Sequence, residues 1–316
     1  MDEFSLIRTI FQQTQLTAAG VHVDLGIGDD CSLISVPGGC QLAQSIDTLV
    51  ADVHFPADGD PFMIGYRSLA VSVSDLAAMG ATPHSFFLAL SLPGSDAVWL
   101  TSFASGLAAM ARKAGISLIG GDTTRGPLTI TVHVQGTLPK GRALMRSGAK
   151  PGDEIYVSGS PGEASAALPF ILGEKAVHTA SERRLTERYW QPTPRIALGQ
   201  WLVEHGATAA IDVSDGLSGD LCHILRASGC GAELFSDSLP VSDVLKEVCG
   251  GQALSKVLGG GDDYELCFTW PAGKIMPADV PASVHRIGFV IETETLLLDG
   301  QPYRPESYNH FIQRGS

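Results

Sequence analysis

The segment from Asp60 to Gly80 is the strongest local constraint in this 316-residue chain. Asp60-Pro61 supplies an N-cap and a first-turn proline. Phe62, Tyr66, Leu69, Val73 and Leu76 then recur at alternating spacings of four and three, which draws one apolar stripe of a helix. Gly80 ends it and Pro83 follows. A second stripe, Ser68, Ser72, Asp75 and Met79, is small and polar with a single carboxylate. Asp75 could be a solvated helix-surface residue, but its flanks are too apolar for a solvated face. The stretch has a partial echo at Ile211-Asp212-Val213-Ser214-Asp215-Gly216, which also leads into a helix pattern.

The remaining elements fall on either side of this helix. Ser5 to Gln13 reads as a short helix, and Asp24 to Asp30 as a Gly-Asp loop. Gln41 to Ile46 reads as a strand that delivers Asp47, and His54 lies in the loop beyond it. A strand over Ser85 to Leu92, a helix over Ala97 to Ala114 and a short strand over Ser117 to Ile119, ending at Gly120-Gly121-Asp122, come next. Leu128, Ile130, Val132 and Val134 alternate with Thr129, Thr131, His133 and Gln135, the pattern of a half-buried antiparallel strand. The polar, basic stretch from Lys140 to Lys150 marks a boundary, giving domains at 1–139 and 149–316, in keeping with the length. The second half restarts with a strand at Glu154 to Val157 and continues with helices, then a strand at Ala207 to Ile211 that ends at Asp212. A helix closed by Gly229, another over Val241 to Val248, and a Gly259 to Asp263 loop feeding a strand at Tyr264 to Thr269 complete it, with an aromatic end at Tyr308 to Phe311. Strands and helices alternate in both halves, so two α/β or α+β domains are expected.

Charge narrows the partners. A net charge of −13 argues against nucleic acid, whose binders need a basic face, and disfavours an anionic membrane surface. No apolar run reaches membrane-spanning length, and Met1-Asp2-Glu3-Phe4 has neither the basic nor the apolar region of a signal peptide. Six cysteines without a Cys-x-x-Cys pair point to reduced thiols in a cytoplasmic protein, not to zinc or disulfides.

Aspartates recur at strand ends and in glycine-rich loops: Asp29, Asp30, Asp47, Asp122, Asp212, Asp215, Asp262 and Asp263. Any one of them could be a turn residue satisfying its own backbone. As a set they lie where α/β proteins place ligands. Two carboxylates about 4 Å apart repel by roughly 4 kcal/mol at an effective dielectric near 20. Converging carboxylates therefore call for a cation, and oxygen ligands with substrate phosphates suit Mg²⁺. The chain has no G-x-x-x-x-G-K-[ST] loop, no complete dinucleotide fingerprint and no protein-kinase signature. Gly120-Gly121-Asp122 offers backbone N–H groups beside a carboxylate, and Arg146 offers a bidentate phosphate contact. His54 is open to three roles: base, phosphohistidine or substrate contact. Cys31 has no recognisable base beside it and reads as a small packed side chain.

Taken in order, these motifs resemble those of the thiamine-monophosphate kinase family. They are Gly28-Asp29-Asp30, Asp47-Thr48-Leu49-Val50 with His54-Phe55, and Ser74-Asp75-Leu76-Ala77-Ala78-Met79-Gly80. Gly120-Gly121-Asp122-Thr123, Arg146-Ser147-Gly148-Ala149, Pro151-Gly152-Asp153, Asp212-Val213-Ser214-Asp215-Gly216-Leu217 and Asp262-Asp263-Tyr264-Glu265-Leu266 follow. The resemblance covers essentially the whole chain.

It implies the two-domain fold of the aminoimidazole ribonucleotide synthetase superfamily, an N-terminal α/β domain that binds ATP and Mg²⁺ and dimerises through its sheet, and a C-terminal α+β domain that completes the nucleotide and substrate site. The implied reaction takes ATP and thiamine phosphate to ADP and thiamine diphosphate, by direct in-line transfer in a cytoplasmic homodimer. Carried over by position, Asp30, Ser45, Ile46, Asp47, Asp75, Asp122, Asp212 and Asp215 would hold Mg²⁺. Gly121, Asp122, Arg146 and Ser214 would contact ATP, with Arg146 stabilising charge and no side chain acting as acid or base. His54, Asp262 and Tyr308 would contact thiamine phosphate. Two positions depart from the family pattern: Ile46 stands where a hydroxyl is usual and can offer a metal only its carbonyl, and Asp262 stands for the usual, longer Glu. The rival readings are another ATP-using member of the superfamily, or a nucleotide- and metal-binding protein without catalysis. The hydrogenase-maturation relatives carry a C-terminal cysteine, whereas this chain ends Gln313-Arg314-Gly315-Ser316.

Overall fold

The computed structural model describes residues 7–11, 15–17, 22–305 and 308. It divides into two compact units, one comprising residues up to Ala77 with Ala81–Ala143, the other Ala78–Gly80 with the chain from Leu144.

In the first unit, β1 (Val23–Leu25) and β2 (Leu33–Ile34) form a small antiparallel ribbon. The main sheet has four strands in the order β3 (Cys40–Val50), β6 (Thr129–Pro139), β4 (Thr82–Leu92), β5 (Ser117–Arg125). All neighbours are antiparallel except β4 and β5, which the helix α2 (Ala97–Ala114) connects as a parallel pair. One face of the sheet is apolar: Leu49, Val132, Val134, Phe86, Leu88 and Leu90 are buried there. Their alternate neighbours Ile46, Thr48 and Ala89 are exposed on the other face.

The helix α1 (Pro61–Ala78) starts where the sequence places it, with Met63 N–H donating to Asp60 Oδ1 at 3.1 Å. Gly80 follows at φ 70°, a left-handed value that glycine adopts without strain. The helix is buried on both stripes, for Ser68 and Ser72 are as inaccessible as Leu69 and Val73. Ser68 donates to the Ile64 carbonyl at 2.7 Å, and the Ser72 hydroxyl lies 3.4 Å from the Ser68 carbonyl and is hydrogen-bonded with Asp47. Burying these hydroxyls is tolerable because each has a partner.

Several expected boundaries differ; β3, for one, does not end at Asp47 but runs through it to Val50. The strand after α2 does not stop at Gly120 but runs on to Arg125, because pairing with β4 holds the glycines extended. The ring of Phe87 lies 2.6 Å from where a Gly120 Cβ would be, so only a residue without a side chain continues the strand there. Of the helix expected over Ser5 to Gln13, the described part, Ile7–Phe11, is a single π-helical turn. Its remainder, like the aromatic residues after Tyr308, lies outside the described residues.

The second unit is built on a seven-stranded sheet in the order β13 (Gln301–Pro302), β12 (Leu296–Leu298), β9 (Gly231–Leu234), β11 (Val284–Ile291), β7 (Glu154–Ser158), β10 (Glu265–Trp270), β8 (Ala209–Val213). Only β12 and β9 are parallel. Every residue of β10 is buried, with Cys267 facing one apolar cluster and Leu266, Phe268 and Trp270 the other. The helices α3 (Glu163–Ile171), α4 (Ala180–Trp190), α5 (Ile196–His205), α6 (Leu217–Ser228), α7 (Asp243–Cys249) and α8 (Ala253–Gly259) supply the rest. Helix α6 follows β8 after the short turn Ser214–Gly216, with Gly216 as its N-cap. Among the described residues no helix is long and apolar enough to cross a membrane.

Candidate active site

In the first unit the site is a pair of carboxylates. Strand alternation puts Ser45 and Asp47 of β3 on the face that α1 covers, and helical spacing puts Ser72 and Asp75 opposite them. Ser45 Oγ donates a very short hydrogen bond to Asp75 Oδ2, and the Ser72 hydroxyl bonds Asp47. The carboxyl of Asp47 is lifted to about 6, chiefly by burial and then by the charge of Asp75, with the Ser72 bond opposing both. Two acidic groups and two hydroxyls in one partly dry patch form an oxygen-only donor set with surplus negative charge. That set fits a hard divalent cation such as Mg²⁺, which takes one or two carboxylates and fills its other positions with water and phosphate oxygens. Among the described residues no three carboxylate, histidine or cysteine side chains gather into a metal cage. Asp30 and Asp122 are both exposed, Asp30 in the loop where its N–H meets Asp29 Oδ1 at 2.9 Å, Asp122 on β5 opposite Ala89. Gly121, also exposed, lies against the backbone of Leu88. Ile46 is 64% exposed on the far face of the sheet, opposite His133. His54 accepts the Val50 N–H on Nδ1 at 3.0 Å, so the neutral ring carries its proton on Nε2.

In the second unit the β8–α6 junction gathers several expected residues. Asp212 is buried near the end of β8, and Ser214, Asp215 and Gly216 form the turn beyond it. Carbonyls of the turn, and of Val213 just before it, are taken by the Gly260–Tyr264 loop and by Tyr308. Asp262 N–H donates to Ser214 O at 2.7 Å, Tyr264 N–H to Val213 O at 2.8 Å, and Tyr308 N–H to Asp215 O at 3.0 Å. Asp262 and Tyr264 hold left-handed backbone, φ 70° and 52°, and Tyr264 Oη donates to Asp262 Oδ1 at 3.3 Å. Gly261 is required just before them, since a Cβ there would sit 2.4 Å from Ser214 O. Arg146 is exposed, its carbonyl bonded by Ser228 Oγ at 3.3 Å. Burial and then the charges of Arg146 and Arg226 hold His223 of α6 below its usual value, against an opposing pull from Asp215.

Behind this surface lie Asp263, one of the recurring aspartates, Glu265 of the last motif, and Asp220, which sequence reasoning missed. Asp220, 3% exposed on the first turns of α6, accepts the N–H groups of Ser214, Asp215 and Gly216 on a single oxygen, at 3.0, 3.0 and 3.2 Å. Burial lifts it to about 7, with Asp215's charge adding and the N–H bonds opposing. Asp263 is buried and accepts from Gly162 N–H at 2.6 Å and Ala164 N–H at 3.3 Å, and burial raises it well above the usual range. Glu265 is gripped by Arg195 through two bonds of 2.6 Å, by Arg188 at 2.8 Å and by Ser158 at 2.5 Å. Burial would raise Glu265, but Arg195 and Arg188 outweigh it and hold the carboxyl below its ordinary value. An acidic residue in a first helical turn was the only local signal for Asp220. The partners of Glu265 are 70 and 77 residues away in sequence and left no signal.

The models for AIR synthase related protein match in both units, the N-terminal domain at residues 28–138 and the C-terminal domain at 150–281. The thiamine-monophosphate kinase of Salmonella typhimurium is 46% identical over 98% of both chains. A crystal structure of thiamine-monophosphate kinase from Stenotrophomonas maltophilia K279a superposes with a TM-score of 0.86 at 41% identity, covering 96% of this chain and 98% of that one. The structure of AaThiL complexed with AMPPCP and TMP superposes at 0.82 with 30% identity, over 98% and 97%. With similarity of this extent over 98% of its length, the chain belongs to the thiamine-monophosphate kinase family.

Proposed function

We infer that this protein transfers the terminal phosphate of ATP to thiamine phosphate, giving ADP and thiamine diphosphate, with Mg²⁺ bound at its carboxylates. The family membership supports the reaction, and a relative bound to AMPPCP and TMP supports the substrate pair. The observation that carries the metal is the Asp47–Asp75 pair, in which burial and then the charge of Asp75 lift the Asp47 carboxyl to about 6.

In this reading Ser45, Asp47 and Asp75, with Asp30, Asp122 and the Ile46 carbonyl, hold Mg²⁺ in the first unit. Asp212 and Asp215 do so in the second. Bound Mg²⁺ supplies charge neutralisation on the transferring phosphate. Gly121, Asp122, Arg146 and Ser214 bind the nucleotide, and the Arg146 guanidinium offsets charge on its phosphates. His54, Asp262 and Tyr308 orient thiamine phosphate. Its phosphate oxygen is already anionic near neutral pH, so the chain needs no strong base, and transfer is direct. Positioning and electrostatics do the work.

We also assign the exposed face of the first unit's sheet to a homodimer contact. Ile46, Thr48 and Ala89 are exposed there, and Phe87 stacks on His133 with centroids 5.8 Å apart. A cytoplasmic location follows from the need for ATP.

Turnover of ATP with thiamine phosphate, and separately with free thiamine, tests the reading. Thiamine diphosphate should form only from the phosphate, with no labelled protein from γ-labelled ATP. Equal turnover on free thiamine, or a phosphorylated His54, would overturn direct transfer, and no turnover on either acceptor would overturn the activity.

A further inference from the structure

The Ser214–Gly216 turn uses its backbone polar groups on both sides. Its carbonyl side is tied to Asp262 and Tyr308. Its three N–H groups converge on Asp220 Oδ2. Such a convergent set at a helix N-terminus is a ready anion site, of the kind that cradles phosphate in other folds. Here the chain fills it with its own buried carboxylate, so no phosphate can use it, and nucleotide must be met by side chains projecting from the turn.

We propose that Asp220 is the positioning residue of the second unit's site. It clamps the turn whose side chains, Ser214 and Asp215, serve the nucleotide and its metal. The same turn, through its carbonyls, fixes the backbone of Asp262 and Tyr308, which serve the acceptor. One acceptor oxygen thus sets both halves of the substrate machinery without touching either substrate. The proposal rests on the kinase reading given above.

The geometry has a specific consequence. The clamp needs an acceptor oxygen at one point and does not need a negative charge. Asp220→Asn can place its amide oxygen there and keep all three bonds. Asp220→Ala removes the acceptor and leaves three orphaned N–H groups around a carboxylate-sized space, which formate can fill.

The test compares wild type, Asp220→Asn and Asp220→Ala, with and without formate. Wild-type turnover is read first, so that failure of the kinase reading is seen separately. The expected result for Asp220→Ala is a KM at least tenfold higher for both ATP and thiamine phosphate. Asp220→Asn should stay within about threefold of wild type, and formate should restore Asp220→Ala but not alter the other two. A merely structural role would lower the melting temperature without raising both KM values in the folded enzyme. Unchanged KM values in folded Asp220→Ala, or an Asp220→Asn enzyme as impaired as Asp220→Ala, would overturn the proposal. If Asp220→Ala folds only with formate present, the clamp is supported. If it does not fold at all, amide hydrogen exchange on the wild type decides: the Ser214, Asp215 and Gly216 amides should be protected, and free exchange there would overturn it.

Discussion

Asp75 faces Asp47 across the junction of β3 and α1, and its charge, second to burial, lifts the Asp47 carboxyl to about 6. The folded protein therefore holds this proton more tightly than the unfolded chain, whose value is 3.8. The stabilisation is complete below the unfolded value and is lost as pH rises from about 4 to about 6. Asp220 adds a slope of the same sign that extends to about 7. Urea unfolding of metal-free wild type and Asp47→Asn across this range isolates the first contribution. Wild type should lose stability relative to the variant as pH rises, and Mg²⁺ should shrink the difference. Parallel curves would show that the fold does not raise the Asp47 carboxyl.

Asp75→Asn removes one charge and keeps an oxygen for the Ser45 hydroxyl. Without metal, the stability should hold or rise by about 1 kcal/mol, because repulsion is relieved. With Mg²⁺ and ATP, about 2–4 kcal/mol of transition-state stabilisation should be lost. Melting temperature without metal and turnover at saturating Mg²⁺ should move in opposite directions. A variant that melts well below wild type yet turns over normally would make Asp75 a structural helix residue.

Glu265 and its arginines form a buried ion network, and removing one partner strands the others. Glu265→Gln should cost about 3–5 kcal/mol in urea unfolding, since Arg195 and Arg188 lose their shared counter-charge. Because Glu265 titrates below its ordinary value of 4.5, its contribution is present above that value and is lost as pH falls through the lowered one. Gly159→Ala should be damaging without touching any charge. Gly159 holds φ 62°, and a Cβ there would lie 2.1 Å from Glu265 Oε1. Wild-type stability in both variants would show the network to be dispensable.

Ile46→Lys places a charge on the outward face of the first unit's sheet. The side chain is 64% exposed in the single chain, so the fold should tolerate it. Light scattering should show wild type as a dimer and the variant as a monomer with a similar melting temperature. A variant that stays dimeric would move the subunit contact elsewhere.

The sequence by itself determined the elements whose signals are local. The caps at Asp60 and Gly80 bound α1, and the strict alternation from Leu128 to Gln135 marks β6. Both are readable because period and capping act within a few residues. The order of aspartate motifs likewise carried the family. Tertiary structure alone decided the rest. It carried β5 through Gly120 and Gly121, because strand pairing outweighs the turn preference of glycine. It buried the Ser68–Ser72 stripe, because those hydroxyls find partners on α1 and on Asp47. It joined Ser45 to Asp75 over 30 residues and Arg195 to Glu265 over 70. It also aimed the three N–H groups of the Ser214 turn at Asp220. These arrangements depend on which buried polar groups meet in space, and a side chain's type and local spacing do not contain that information.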